Sequence, residues 1–186
     1  MIAYGCEGVG YIISGTFLVS LVQNIPFLSG FSTLSWMFVG LAAIPSCIIW
    51  SAIGNKWGHL KALQAAFFLQ IIGVLLPVIV FNSYGALIGS LLFGATFMGM
   101  TALFMAEVKN SVSHKSNQLI GLFTGVYGIG QVIGPIIAGV LITHSGNYDS
   151  SFIFSAIVLF CGMIFLVLAQ KDNHLQEREG SSKCLM

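Results

Sequence analysis

Charged residues are scarce in this chain. Lys, Arg, Asp and Glu make up 7% of its 186 residues, whereas roughly a quarter of the residues in a soluble domain are charged. Hydrophobic residues account for 56%, and the mean hydropathy is +0.93. This composition excludes an ordinary soluble domain, gives no reason to expect a nucleic-acid partner, and indicates a protein of the lipid bilayer.

Cysteines are too few and too scattered to form a disulfide framework. Cys6, Cys47 and Cys161 lie inside apolar runs, where a cysteine usually acts as a small buried hydrophobe. Cys184 is third rather than fourth from the end, so the terminal "KCLM" does not match a prenylation box. We expect no disulfide, no metal site and no cofactor.

Long apolar runs are abundant. A hydrocarbon core about 30 Å thick is crossed by roughly 20 apolar helical residues, and six such runs lie at 2–23, 33–53, 62–81, 84–106, 118–142 and 151–169. The first has no basic region before it and is too long for a signal peptide, so we expect it to stay in the membrane. The sequence predicts an all-α integral membrane protein with six transmembrane helices in 1–169 and a polar cytoplasmic tail at 170–186.

All of the basic residues follow even-numbered runs. Cytoplasmic loops keep an excess of Lys and Arg, and the connections after runs one, three and five contain neither. This predicts that both termini and the even-numbered connections lie in the cytoplasm, with the chain in the plasma membrane. The basic residues are Lys56, Lys61, Lys109, Lys115, Lys171, Arg178 and Lys183.

Run one carries a polar stripe at helical spacing, formed by Tyr4, Glu7, Tyr11 and Ser14. A carboxylate at membrane depth is costly and usually faces a cavity, where it carries protons or binds substrate. The alternative is that Glu7 lies close enough to the cytoplasmic interface to stay hydrated. Run four shows a weaker small and polar pattern, whereas runs three and six are predicted to face lipid.

Run five, "GLFTGVYGIGQVIGPIIAGV" at 121–140, is rich in glycine. Small residues let two helix backbones approach closely in a membrane, so a smooth packing stripe is predicted. A bend is predicted at the proline because it frees a backbone carbonyl. Tyr127 and Gln131 add stacking and hydrogen-bonding groups to the pathway candidates. The packing and bend motif comprises Gly121, Gly125, Gly128, Gly130, Gly134, Pro135 and Gly139.

Tryptophans occur near the ends of runs. Trp36, Trp50 and Trp57 are predicted to anchor the helices at the two membrane interfaces.

The order of the glycines in run five resembles the glycine-proline antiporter motif of the major facilitator superfamily, with Ala138 in place of one glycine. The segment after run two, "SAIGNKWGHLKAL", resembles that family's cytoplasmic gating loop. The opening "YGCEGVGYIISGTFL" is similar to the start of the second half of the uncharacterised YbfB-type branch. The matching gating-loop positions are Asn55, Lys56, Gly58, His59 and Lys61, of which Asn55 replaces the usual aspartate.

The resemblance implies one half of a twelve-helix transporter, the carboxy-terminal half, encoded by a truncated or split gene. In such a half the first and fourth helices line the cavity, the second and fifth contact the other half, and the third and sixth face lipid. The implied function is alternating-access transport of a small solute, with proton-coupled export as one form of it. A second six-helix half or another copy of this chain would complete it.

Other classes of membrane protein were weighed against transport. A rhomboid-type protease needs a Gly-x-Ser-Gly nucleophile and a histidine within the runs, and no run contains a histidine. A channel needs a selectivity filter or a charged ring, which no loop offers. We therefore expect no enzyme and no catalytic residue. A non-transporting six-helix scaffold or an inactive transporter fragment remains the alternative to a transporter.

Overall fold

The computed structural model describes residues 1–23, 33–80, 82–111 and 116–183, whose regular structure is helical. The helices are α1 (Ile2–Gln23), α2 (Thr33–Trp57), α3 (His59–Ile79), α4 (Ser83–Ser111), α5 (Ser116–Ser145) and α6 (Asp149–Lys183). Each contains a segment long and apolar enough to cross a membrane. The prediction of an all-α protein with six membrane-length helices is confirmed.

Five of the helices differ from the apolar runs in their bounds. α2 continues to Trp57, so that a single residue separates it from α3. α6 continues through the polar segment that follows position 169, as far as Lys183. Residue 81 of the third run, Lys115, and residues 184–186 of the predicted tail lie outside the described residues.

The helices pack as two groups of three. α1 packs mainly on α5 and α6, whereas α4 packs mainly on α2 and α3. The contact between α3 and α6 joins the two groups, and α1 touches α3 and α4 more lightly. Side chains on α1 can therefore contact helices of both groups.

One end of the bundle gathers the start of the chain, the starts of α3 and α5 and the ends of α4 and α6. A cavity of about 490 Å³ opens there. Among the described basic side chains, Lys56, Lys61 and Lys109 belong to helix ends at this side. We call it the amino-terminal end of the bundle. Residues from five helices line the cavity, among them Met1, Leu60, Phe104, Glu107, Phe123 and Ala169.

Glycines on both partners bring α1 against α5. A Cβ added at Gly130 would lie 2.7 Å from the Gly5 carbonyl oxygen, and one at Gly134 would lie 2.6 Å from Ile12 Cγ2. On α1, a Cβ at Gly8 would lie 2.5 Å from the carbonyl oxygen of Tyr127. No side chain fits between the backbones at these positions, which is the close approach that small residues allow in a membrane.

The glycines of the predicted packing motif lie on two sides of α5. Gly121, Gly125, Gly128 and Gly139 have nothing from the described chain within 4 Å of where a Cβ would be. They lie on a different side of α5 from Gly130 and Gly134, so the helix has two faces that are formed by small residues. One packs inside the bundle and the other is open.

α2 is fastened to α4 by polar contacts in the middle of the membrane span. The Ser46 hydroxyl donates to the Ala95 carbonyl at 2.8 Å and accepts from the Gly99 N–H at 3.0 Å. Trp50 Nε1 also donates to the Ala95 carbonyl, at 2.7 Å. Trp50 is buried, so its prediction as an interface anchor is wrong, while Trp36 and Trp57 are exposed.

α3 and α6 do not face lipid all round, contrary to the prediction. Gln70 on α3 is completely buried. On α6 the hydroxyl of Ser151 donates to the Ala138 carbonyl at 3.0 Å, and that of Ser155 donates to the Gly10 carbonyl at 2.7 Å. In each of these apolar helices, the side that carries the polar residues therefore packs against the protein rather than against lipid.

Substitution of the packed glycines should destabilise the chain more than substitution of the open ones. Gly130→Leu and Gly134→Leu force α1 and α5 apart, and overpacking of this kind costs about 1–3 kcal/mol. Gly125→Leu on the same helix is the matched control, because its side chain enters open space. Thermal unfolding of the purified chain in detergent gives the comparison. Equal melting temperatures for Gly130→Leu and Gly125→Leu would contradict this packing.

Candidate functional site

Seven aromatic rings from α1, α4 and α5 form a continuous column inside the bundle. Tyr4 stacks on Tyr127 with ring centroids 4.5 Å apart, and Tyr127 lies 6.1 Å from Tyr11. Tyr11 lies 5.2 Å from Phe97 in a near-parallel arrangement. We call the set the aromatic column, and it comprises Phe93, Phe97, Phe104 and Phe123 with Tyr4, Tyr11 and Tyr127.

The three tyrosines of the column were all predicted as pathway candidates, Tyr4 and Tyr11 from their helical spacing and Tyr127 as a stacking and hydrogen-bonding group. Tyr4 is buried, whereas Tyr11 and Tyr127 are half-buried. Stacked aromatic pairs contribute about 0.5–1.5 kcal/mol beyond the area they bury, so the column also holds α1, α4 and α5 together. Phe104 and Phe123, which contact Tyr4 in the column, also line the cavity at the amino-terminal end of the bundle.

Glu7 lies beside the column and is 0% exposed. It follows Tyr4 by three residues and precedes Tyr11 by four, so the three side chains share one face of α1. Nε2 of Gln70, on α3, donates to Oε1 of Glu7 at 3.2 Å. The structure therefore removes Glu7 from solvent, which disagrees with a hydrated position at the interface.

Gln70 was missed by the sequence reasoning, although a signal was present. It is one of two glutamines in an otherwise apolar run, and an amide at membrane depth requires a partner. The other, Gln64, donates from Nε2 to Oε1 of Gln170 on α6 at 2.7 Å. Each glutamine thus connects α3 to a neighbouring helix through a side-chain hydrogen bond.

Ser14 does not join the aromatic column. Its hydroxyl lies 3.3 Å from that of Ser155 on α6 and 3.4 Å from the Gly10 carbonyl oxygen. The residue therefore fastens α1 to α6, so its prediction as part of the pathway is not supported by its contacts. Gln131 follows Tyr127 by four residues on α5 and is half-buried, which puts it on the same face as that ring.

The predicted gating loop is a tight turn between two helices. Asn55 and Lys56 belong to the last turn of α2, and His59 and Lys61 belong to the first turn of α3. Gly58 between them has φ +89°, a conformation that a residue with a Cβ rarely adopts.

The gating turn contacts the end of α4. Nδ1 of His59 lies 3.6 Å from Oε2 of Glu107 and 3.5 Å from Nδ2 of Asn110. A movement of the end of α4 would therefore act directly on the turn between α2 and α3.

Three curated transporters are similar to this chain in sequence. The mouse monocarboxylate transporter 10 is 28% identical over 137 residues, which cover 70% of this chain and 26% of the relative. The riboflavin transporter RibZ of Clostridioides difficile is 29% identical over 150 residues, covering 75% of this chain and 32% of the relative. The proton-coupled antiporter flippase LtaA of Staphylococcus epidermidis is 27% identical over 169 residues, covering 87% and 32%.

The chain thus spans between a quarter and a third of the length of these curated relatives. Residues 1–167 match the family model described as the uncharacterised MFS-type transporter YbfB. Because that match covers nearly all of the six-helix bundle, the chain belongs to the YbfB-type family of major facilitator superfamily transporters.

Proposed function

We propose that this chain forms half of the pathway of a proton-coupled transporter that moves a small solute by alternating access. The observation that carries the proposal is Glu7, a completely buried carboxyl beside three tyrosine rings on helices that surround a common interior. The name of the LtaA relative, a proton-coupled antiporter, agrees with coupling to protons. We assign Glu7 as the group that carries the proton.

The surroundings of Glu7 suit a group that changes its protonation. Insertion of an acidic side chain at the centre of a membrane helix costs about 2.5–3.5 kcal/mol. Among the described residues no Lys, Arg or His is paired with Glu7, and its hydrogen-bond donor is a neutral amide. A buried site of this kind favours the neutral acid until water or a solute reaches it.

The exposed faces of α2 and α5 are an argument for a second six-helix unit that binds there. α2 and α5 are the least buried of the six helices, and Ile44 and Ile48 on α2 are about 75% exposed. On α5 the glycines at 121, 125, 128 and 139 are uncovered. Interfaces between membrane helices favour such small residues, so we infer that a protein partner covers this face.

The partner is a separately encoded half or a second copy of this chain. This chain would correspond to the carboxy-terminal half of the longer relatives. We place the chain in the plasma membrane, with the amino-terminal end of the bundle on the cytoplasmic side. This end carries Lys56, Lys61 and Lys109, and cytoplasmic loops keep an excess of basic residues. The turn at Gly58 and its contact with α4 would then form the cytoplasmic gate.

We propose a small organic molecule as the solute. Two of the relatives are named for monocarboxylates and for riboflavin. The tyrosines of the column and Gln131 offer stacking and hydrogen-bonding groups that suit small organic solutes of either kind. A panel containing pyruvate and riboflavin is a reasonable first set of probes.

Replacement of the coupling carboxyl should abolish proton movement. Vesicles that contain the chain with its partner and a trapped pH-sensitive dye should show proton flux when a transported member of the panel is added. Glu7→Gln should abolish that flux with unchanged expression, because the amide cannot exchange a proton. Asp149→Asn, at the start of α6, is the control and should leave the flux intact.

Two outcomes would count against this assignment. Proton flux that survives in Glu7→Gln would remove Glu7 from the coupling mechanism. The absence of any solute-dependent flux in the unaltered protein would favour the non-transporting scaffold.

Cross-linking should detect the partner on the open faces. Single cysteines at Ile44 of α2 and Val132 of α5, both well exposed, should give cross-linked products in native membranes. The background replaces Cys6, Cys47, Cys161 and Cys184, and the mass of the product distinguishes a second copy from another protein.

A cysteine at Ile157 provides the matched control, because it is exposed on α6, outside the proposed interface. It should give no product. Gly125→Leu should abolish the product from Val132→Cys while leaving the bundle folded. Equal yields from Val132→Cys and Ile157→Cys would contradict a specific interface on α5.

A further inference from the structure

Glu7 on α1 and Gln70 on α3 are hydrogen-bonded to each other, and each also has one oxygen without a hydrogen-bond partner. Gln70 Nε2 donates to Glu7 Oε1 at 3.2 Å. Oε2 of Glu7 and Oε1 of Gln70 are both buried and have no hydrogen-bond partner among the described residues. The two oxygens without partners therefore belong to the same pair that one hydrogen bond already joins.

The number of available hydrogens decides which form of Glu7 fits this arrangement. An ionised carboxylate only accepts, so Oε2 of Glu7 and Oε1 of Gln70 would both lack a donor. A protonated carboxyl has one O–H, which is the donor that the pair lacks. Buried polar atoms that stay unpaired are costly in a protein interior, and the arrangement therefore favours the protonated form.

The groups around Glu7 supply no positive charge that would favour the ion. It shares a face of α1 with Tyr4 and Tyr11, whose rings stack with Tyr127 on α5, and it is bonded to Gln70 on α3. From α4, Thr101 lies near the phenols of Tyr4 and Tyr127. All of these side chains are neutral in their ordinary forms.

We propose that Gln70 is a positioning residue that holds Glu7 as a neutral acid in a reciprocal pair. The amide Nε2–H donates to Oε1 of Glu7, and the carboxyl Oε2–H donates to Oε1 of Gln70. The proposal deepens the proposed function and rests on it, since Glu7 is the proton carrier there. It gives α3 a part in the site, although the resemblance assigned that helix to the lipid.

Loss of the proton changes the contact between α1 and α3. The O–H bond of Glu7 breaks, its electron pair stays on Oε2, and the proton passes to a water molecule that enters the pathway. Two acceptor oxygens then face each other with no hydrogen between them. The side chains must separate or recruit water, and in this way the protonation of Glu7 controls how tightly α1 holds α3.

Infrared spectroscopy of the full chain in membranes tests the pair directly. A protonated carboxyl has a C=O stretching band that an ionised one lacks, and hydrogen bonding to the carbonyl lowers its frequency. At neutral pH the unaltered chain should show such a band, which should be absent in Glu7→Gln. Gln70→Leu should shift this band to higher frequency, because the Nε2–H donor to the carbonyl is lost.

Gln64→Leu is the matched control on the same helix, since its amide pairs with Gln170 rather than with Glu7. It should leave the band unchanged. Gln70→Asn provides a second variant that keeps an amide but shortens it by one methylene, and it should produce an upward shift like that of Gln70→Leu. A structural effect of altering α3 would move the band in Gln64→Leu as well.

Two results would overturn the proposal. One is the absence of a Glu7-dependent carboxyl band at neutral pH, and the other is a band that stays in place in both Gln70 variants. These outcomes are separable from failure of the proposed function. If the band shifts as described but Glu7→Gln retains proton coupling, the pair is correct and the coupling role of Glu7 is not.

Discussion

The close contact between α1 and α5 positions Glu7 and the three tyrosines of the candidate site. Gly5 and Gly8 on α1 meet Gly130 and the backbone of Tyr127 on α5, with no room for a side chain between them. Because hydrophobic force contributes little between helices in lipid, such contacts depend on close packing. The short distance between the two backbones lets Tyr127 stack on Tyr4 and encloses Glu7. The arrangement of these side chains therefore depends on the glycines that allow the two helices to come so close.

Some polar groups in the membrane span are satisfied within their own helix. Ser90 and Thr96 on α4 donate to carbonyls one turn earlier in their own helix, a bond that hydroxyls of this kind often make. They belong to the weaker small and polar pattern of run four, and the helix itself satisfies them. Glu7 and Gln70 differ because each retains a buried oxygen without a partner, which among the described residues is otherwise true only of Ser35, and the two are joined to each other by a hydrogen bond.

The sequence could predict the helices and part of the site, and periodicity explains why. Run length depends on the thickness of the bilayer, so the six helices were recoverable from composition. Tyr4 and Tyr11 share a face of α1 because of the helical repeat, and the structure brings them together with Tyr127. The same repeat could not show that Ser14, further along that helix, meets α6 instead.

The remaining errors concern how each helix is rotated about its own axis. α5 carries glycines on two sides, and spacing alone does not tell which side faces α1. Gln70 was overlooked because the average apolarity of α3 hides a single amide, whose role depends on a residue far away in sequence. Trp50 was misplaced for the same reason, since only the packing of α2 on α4 shows that its indole N–H points inward.

The contact of Ser46 with α4 has a consequence for how the protein is made. Its hydroxyl bridges the Ala95 carbonyl and the Gly99 N–H, which are four residues apart and would ordinarily bond to each other within a helix. At this level α4 therefore gains additional polar partners, a donor at the Ala95 carbonyl and an acceptor at the Gly99 N–H, only with α2 beside it. Since α2 is synthesised first, it is already in the bilayer when α4 arrives, and the order of helices along the chain suits the order of assembly.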